Sequence, residues 1–216
     1  MPFPEPFMHA MSFWACITRL ADTNVTVPLA LLLAAWLGSR QRGREALWWL
    51  LLFCGGLGIV AASKIAYAGW GIGIASLDFT GFSGHAMRAA AVAPAFARLA
   101  LPAQSRRARV LAQSLALVFA VLVAISRLVL HQHSPSEAIS GLALGALTGF
   151  GFVGLERGKP ALSWHPAAAV ACALAVAIGA PAKPAPTEQW IDAIALRLSG
   201  HDQPYRRGAL HPPGDI

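Results

Sequence analysis

The sequence predicts an all-α fold, a polytopic transmembrane bundle of about six helices. Three observations carry this expectation. Of 216 residues, 56% are hydrophobic and only 12% are charged, against about 25% charged in ordinary soluble domains. Apolar runs recur along the chain, several of them near the ~20 residues that a spanning helix needs. Most basic residues sit in short loops between these runs, where they would orient the chain in a bilayer. A soluble alanine-rich helical bundle is the alternative that this composition argues against. One membrane-embedded domain is expected over residues 1–181, followed by an extracytoplasmic tail over residues 182–216.

The apolar segments fall at about 23–38, 46–63, 83–101, 110–125, 136–155 and 164–180. The first can extend back through FWACITRL, and Thr23 or Asn24 is the expected cap of its helix. Ser136 is the expected N-cap of the fifth, with Glu137 suited to the positive helix end. Lys64 is taken to close the second. Arg40, Arg42 and Arg44, then Arg98, Arg106, Arg107 and Arg109, then Arg157 and Lys159 make three loops basic. These should face the cytoplasm, so loops 64–82 and 126–135 should face outward, with both termini. Tryptophans 48, 49, 70, 164 and 190 fall near segment ends, as in aromatic belts. Glu45 and Glu156 read as surface partners of the loop arginines, and Asp78 as solvated.

The tail opens on a proline-rich linker, APAKPAPTEQW. In WIDAIALRL, Trp190, Ile191, Ile194 and Leu198 share helical spacing, which suggests an amphipathic helix on the outer membrane surface. A loosely ordered tail is the competing reading, and HPPGDI reads as disordered. No cleavable leader is expected, because the start lacks a basic stretch and prolines interrupt its apolar run. Cys16, Cys54 and Cys172 are far apart in apolar surroundings and read as small buried hydrophobes, not as a disulfide or zinc framework. The net charge of +7 is explained by the loops, so no nucleic-acid partner is expected.

The polar residues of the outward side form a constellation. Lys64, Ser83, Gly84, His85, Ser126, Arg127, His133 and Glu137 should all meet at one membrane face. Ionisable residues at membrane depth are expensive and point to function. Arg127 offers a planar fork of donors that matches phosphate oxygens, with Lys64 as a second fixed charge. Ser83 and the N–H groups of Gly84 and His85 open a helix, where free donors and the dipole favour an anion. Two histidines remain for chemistry: one can attack phosphorus and the other can protonate a leaving oxygen. Glu137, four residues after His133, can accept an imidazole N–H and fix the tautomer.

SGH, followed about forty residues later by SR, five residues, a histidine, three residues and an acid, resembles the type 2 phosphatidic acid phosphatase superfamily. The second motif of that family, P-S-G-H, reads Phe82-Ser83-Gly84-His85. The third, S-R-x5-H-x3-D, reads Ser126, Arg127, His133 and Glu137, with glutamate for aspartate. The first, K-x6-R-P, keeps Lys64 but has Gly71 and Ile72 where arginine and proline belong; Arg88 is a candidate substitute. The resemblance implies a helical membrane fold, catalysis without metal or cofactor, and a phosphohistidine intermediate. It makes His133 the nucleophile, Glu137 its partner, His85 the acid, and Lys64, Ser83, Gly84 and Arg127 the phosphate holders.

The expected activity is hydrolysis of a lipid phosphate or diphosphate, such as undecaprenyl diphosphate, phosphatidic acid, phosphatidylglycerol phosphate or a lipid A phosphate. The expected setting is the periplasmic face of a bacterial inner membrane, with the bilayer and the lipid substrate as partners. Lipid phosphotransfer, non-catalytic lipid binding or scrambling, and metal-dependent hydrolysis using His85, His131, His133 and Glu137 are the alternatives.

Overall fold

A computed structural model describes residues 5–100, 105–159 and 166–210. Its helices are α1 (Glu5–Leu20), α2 (Thr23–Ser39), α3 (Gly43–Trp70), α4 (Gly84–Ala100), α5 (Arg106–Val129), α6 (Pro135–Leu155), α7 (Pro166–Gly179) and α8 (Thr187–Ser199). Met11–Ser39, Gly43–Trp70, Arg106–Val129 and Pro135–Leu155 are long and apolar enough to cross a membrane. The fold is therefore the all-α membrane bundle that the composition predicts. The six apolar segments correspond to α2–α7, with α1 ahead of them and α8 behind. Large apolar side chains such as Leu31, Leu51, Leu115, Leu147 and Ile178 point away from the bundle, onto the surface that a bilayer covers.

The centre of the bundle is α4. Ala86, Met87, Ala89, Ala90, Ala91, Val92, Ala95 and Leu99 are all buried. The helix can sit this deep because α6 presents glycine to it every fourth residue. A Cβ on Gly141 would lie 2.4 Å from the Ser83 carbonyl oxygen, on Gly145 2.1 Å from that of Met87, and on Gly149 2.6 Å from that of Ala90. Small residues at four-residue spacing let backbones touch, the usual means of packing helices where water supplies no hydrophobic drive. This close approach seats the start of α4 against the start of α6: the Ser83 N–H donates to the Glu137 carbonyl at 3.0 Å.

Several local expectations are corrected. The cap of α2 is Asp22, whose side chain accepts from the Asn24 N–H; an acceptor placed one residue earlier reaches the first free N–H. The cap of α6 is Ser134, in a capping box with Glu137 and with Pro135 in the first turn, so Ser136 lies inside the helix. Lys64 does not end α3, which runs six residues further to Trp70. At 28 residues that helix is about 42 Å long, more than the ~30 Å hydrocarbon core, so its last turns can stand beyond the lipid. Trp49 is no belt residue: it is fully buried and donates to the Ala30 carbonyl at 2.8 Å. Cys16 and Cys54 are exposed and Cys172 half-buried, so they do not fill the core. Trp164, His165 and HPPGDI lie outside the described residues.

The basic loops meet at the opposite end of α3, α4 and α6 from His85 and His133. Their centre is Glu156, which is completely buried, against the surface pairing expected from sequence. Its carboxylate takes Arg42 at 2.9 Å and Lys159 at 3.1 Å, and Lys159 also reaches Glu45 at 2.7 Å. These two carboxylates outweigh the burial of the Lys159 ammonium and raise its pKa. Arg98 binds the Glu156 carbonyl. Glu156→Ala leaves these cations without their shared anion. It is expected to cost about 3 kcal/mol, readable as a lowered melting temperature of the detergent-solubilised protein, with Glu156→Gln losing less.

Candidate active site

At the other end, four elements converge. The loop after α5 carries His133. Its Nδ1 stands 2.7 Å from Glu137 Oε2, and the Glu137 side chain is fully buried at the first turn of α6. The two are only four positions apart because the capping box at Ser134 turns the chain straight into the helix. Glu137 Oε1 accepts from the Thr80 N–H at 2.8 Å and from the Thr80 hydroxyl, and Oε2 also accepts from the Ser134 N–H at 3.3 Å. An ionised carboxylate only accepts, so His133 must donate through Nδ1–H, which leaves the lone pair on Nε2. Burial pulls the His133 pKa below its usual value, against the pull of the Glu137 hydrogen bond, and so favours the neutral ring.

His85 sits in the first turn of α4, and its Nε2 lies 3.5 Å from Asp22 Oδ2. Each histidine therefore has its own carboxylate. Lys64, Gly84, His85, Arg88, Arg127 and His133 line one cavity of about 450 Å³. Arg127, 7% exposed, donates to Thr18 Oγ1 at 3.0 Å and to the Gln132 side chain, while its Nε is buried without a partner among the described residues. Arg88 is equally buried. It reaches the Ala21 carbonyl at 3.3 Å, and its Nε has no partner. A buried cation lacking a matched anion is costly, so two of them facing one cavity mark a place for an anionic ligand.

The sequence-derived set is thus largely brought together. Lys64, Gly84, His85, Arg127 and His133 share the cavity lining, with Glu137 behind His133. Ser83 and Ser126 are fully buried outside that lining. The Ser126 hydroxyl donates to the Val123 carbonyl at 2.6 Å, and the Ser83 hydroxyl has no partner. His131 lies beside His133 in a second recess with Asp78 and Arg207. Among the described residues no three of His, Cys, Asp and Glu converge as metal ligands.

Four residues were missed by sequence reasoning. Asp22 and Thr80 hold the two histidine partnerships, and neither belongs to a motif; Asp22 was visible only as a lone acid beside an apolar segment. Glu188 of α8 ion-pairs with Lys64 in the cavity, and Arg207 binds Glu137 at 2.7 Å. The tail reaches this far because α8 packs along α3 and the chain then returns over the C-terminal end of that helix. Asp78, expected to be solvated, pairs with Arg207. Gly71, at the position where the resemblance would put arginine, ends α3 in the left-handed region (φ 68°), and a Cβ there would meet the Tyr205 ring at 3.1 Å. An arginine at that position would be strained and would collide with the docked tail.

Comparison with known proteins agrees with this geometry. No solved structure matches the chain. A protein of Klebsiella pneumoniae, described as an uncharacterized 22.5 kDa protein in cps region, is 38% identical over 204 residues, covering 92% of this chain and 97% of that protein. The PAP2 superfamily model matches residues 74–159, the stretch that contains His85, Arg127, His133 and Glu137 but neither Lys64 nor the tail. With the site assembled as described and a full-length relative beside it, the chain belongs to the PAP2 superfamily.

Proposed function

We propose that this protein hydrolyses the phosphate or diphosphate of a membrane lipid through a phosphohistidine on His133, at the periplasmic face of a bacterial inner membrane. One observation carries the substrate class. The cavity lined by Lys64, Arg88, Arg127, His85 and His133 is also lined by Val27, Leu57, Val60, Ile65, Trp190 and Ile194. A charged head with an attached hydrocarbon chain suits this mixed lining; a water-soluble phosphate leaves its apolar part unused. The basic cluster around Glu156 at the far end supports the sidedness.

In the proposed cycle the phosphate docks among Lys64, Arg88 and Arg127, taking Lys64 from Glu188. The His133 Nε2 lone pair forms an N–P bond as the P–O bond to the lipid breaks, and His85 gives its proton to the departing oxygen. Water then attacks phosphorus. His85 takes the water proton, the N–P bond breaks, and inorganic phosphate leaves. The cations stabilise charge on the equatorial oxygens. Glu137 holds the ring of His133 with Nε2 toward the cavity, and Asp22 orients His85.

The test is phosphate release by the purified protein, in detergent and in vesicles, from phosphatidic acid, phosphatidylglycerol phosphate, undecaprenyl diphosphate, a lipid A phosphate and a short soluble monoester. Each reaction is run with and without chelator. Free phosphate from at least one lipid, well above that from the soluble ester, is the expected result. No release from any lipid, or release that chelator abolishes, overturns the reading. Transfer of the phosphate to an added acceptor alcohol, with no free phosphate formed in its absence, makes the protein a transferase.

A further inference from the structure

The family match ends at residue 159, yet a side chain from far beyond it binds the carboxylate behind His133. Arg207 Nη2 lies 2.7 Å from Glu137 Oε2, the same oxygen that faces His133 Nδ1 at 2.7 Å. Its Nη1 donates to the Asp78 carbonyl at 3.1 Å and to the Asp78 carboxylate. We propose that Arg207 is a positioning residue for the His133–Glu137 pair, so that the C-terminal segment is part of the active site. The proposal rests on the reading of His133 as nucleophile.

Arg207 is delivered by backbone contacts, not by chance. Gly200 ends α8 in the left-handed region (φ 74°). The His201 ring Nδ1 then meets the Gly69 carbonyl at 2.8 Å, the Tyr205 N–H donates to the Ala68 carbonyl at 2.9 Å, and the Tyr67 hydroxyl donates to the Arg206 carbonyl at 2.8 Å. The last carbonyls of a helix have no partner within it. Here the tail satisfies two of them, and this fixes its register so that Arg207 lands over Glu137.

The electrostatic consequence follows from the shared oxygen. Glu137 is completely buried, and a buried carboxylate needs a charged partner. If His133 were its only ionisable partner, the carboxylate would draw a proton onto the imidazole and convert the nucleophile into imidazolium. Arg207 supplies the positive charge instead. Burial acts to lower the Arg207 pKa, but its bonds to Glu137 and Asp78 outweigh that, so the guanidinium stays charged. Glu137 can then fix the tautomer while the ring stays neutral. Among the described residues the other ionisable groups around the pair are Lys64 and Tyr67 from α3, Arg127 from α5, Glu188 from α8, Tyr205 from the tail, and Asp78 and His131 from the loops. Asp192 and Arg206, at the rim, pair with each other at 2.8 Å. The bonds to the Glu137 carboxylate come from His133, Thr80, Ser134 and Arg207.

The experiment uses the full chain with isotopically labelled histidine. His133 is titrated by NMR in detergent micelles, in wild type, Arg207→Gln and Arg207→Lys, alongside pH profiles of kcat/KM. In Arg207→Gln the His133 titration and the acid limb of the profile are expected to move up together by about one pH unit, the size of effect one lost neighbouring charge produces. Arg207→Lys should restore most of the shift. A His133 titration unchanged in Arg207→Gln overturns the proposal. So does a rise in KM alone with the acid limb in place, which would make Arg207 a substrate contact. Because the titration needs no turnover, a wild type that releases no phosphate sinks the proposed activity without deciding this result.

Discussion

His133→Ala is expected to remove phosphate release, by on the order of 10⁶-fold in kcat, the scale on which deleting the nucleophile acts in other covalent enzymes. The loss should be chemical and not structural. His133 lies in a loop, and Glu137 keeps its bonds from Thr80, Ser134 and Arg207 when the imidazole is gone. The melting temperature should therefore stay within a few degrees of wild type. With a ³²P-labelled lipid phosphate, rapid quenching into alkali should trap label on the wild-type protein and none on the variant. The pH dependence carries a sign. The attacking form is the neutral ring, so rate falls as pH drops through the His133 pKa. Burial sets that pKa below the usual histidine value, and activity should persist into mildly acidic buffer. Substantial turnover by His133→Ala, or label surviving on it, would remove His133 from the role.

What the sequence made legible was what repeats or what is expensive. Apolar runs of helical length announced the bundle, and basic residues between them announced which ends lie together. Histidines, arginines and a glutamate at the ends of such runs are too costly to be incidental, so His85, Arg127, His133 and Glu137 were readable before their geometry was. The hidden parts depend on contacts that leave no periodic trace. The tail is held by carbonyls of Ala68 and Gly69, which any residue would present, so nothing in WIDAIALRL says where the chain goes next. Thr80 serves Glu137 through a backbone N–H as much as through its hydroxyl. Glu156 looks like a loop acid because its neighbours are basic; its burial comes from three elements closing on it. The end of α3 was misplaced because Lys64 interrupts the apolar pattern, although its charge meets Glu188 while the backbone continues as helix.

Arg88→Met is expected to separate catalysis from stability in opposite directions. Arg88 is 7% exposed, its Nε lacks a partner, and a carbonyl at 3.3 Å is a weak acceptor for a full charge. Asp22, an acid lining the same cavity, faces His85 and accepts from the Asn24 N–H. A guanidinium kept so poorly matched is destabilising on its own, and replacing buried charge by an apolar side chain of similar length is commonly neutral or favourable. Asp22 keeps both its partners in the variant. The melting temperature of the ligand-free protein should stay level or rise. Turnover should fall by about 10²–10³-fold, the usual cost of losing one donor to developing charge in a dry site. Inorganic phosphate should protect the wild type against heating and protect the variant much less. A purely structural Arg88 gives the reverse pattern, with lower stability and activity reduced only as far as the folded fraction falls. The arrangement also accounts for Gly71. On the proposed reading, in which Arg88 holds the phosphate from α4, the end of α3 is free to turn at a glycine, and the space beside that glycine receives Tyr205 and with it the segment that carries Arg207.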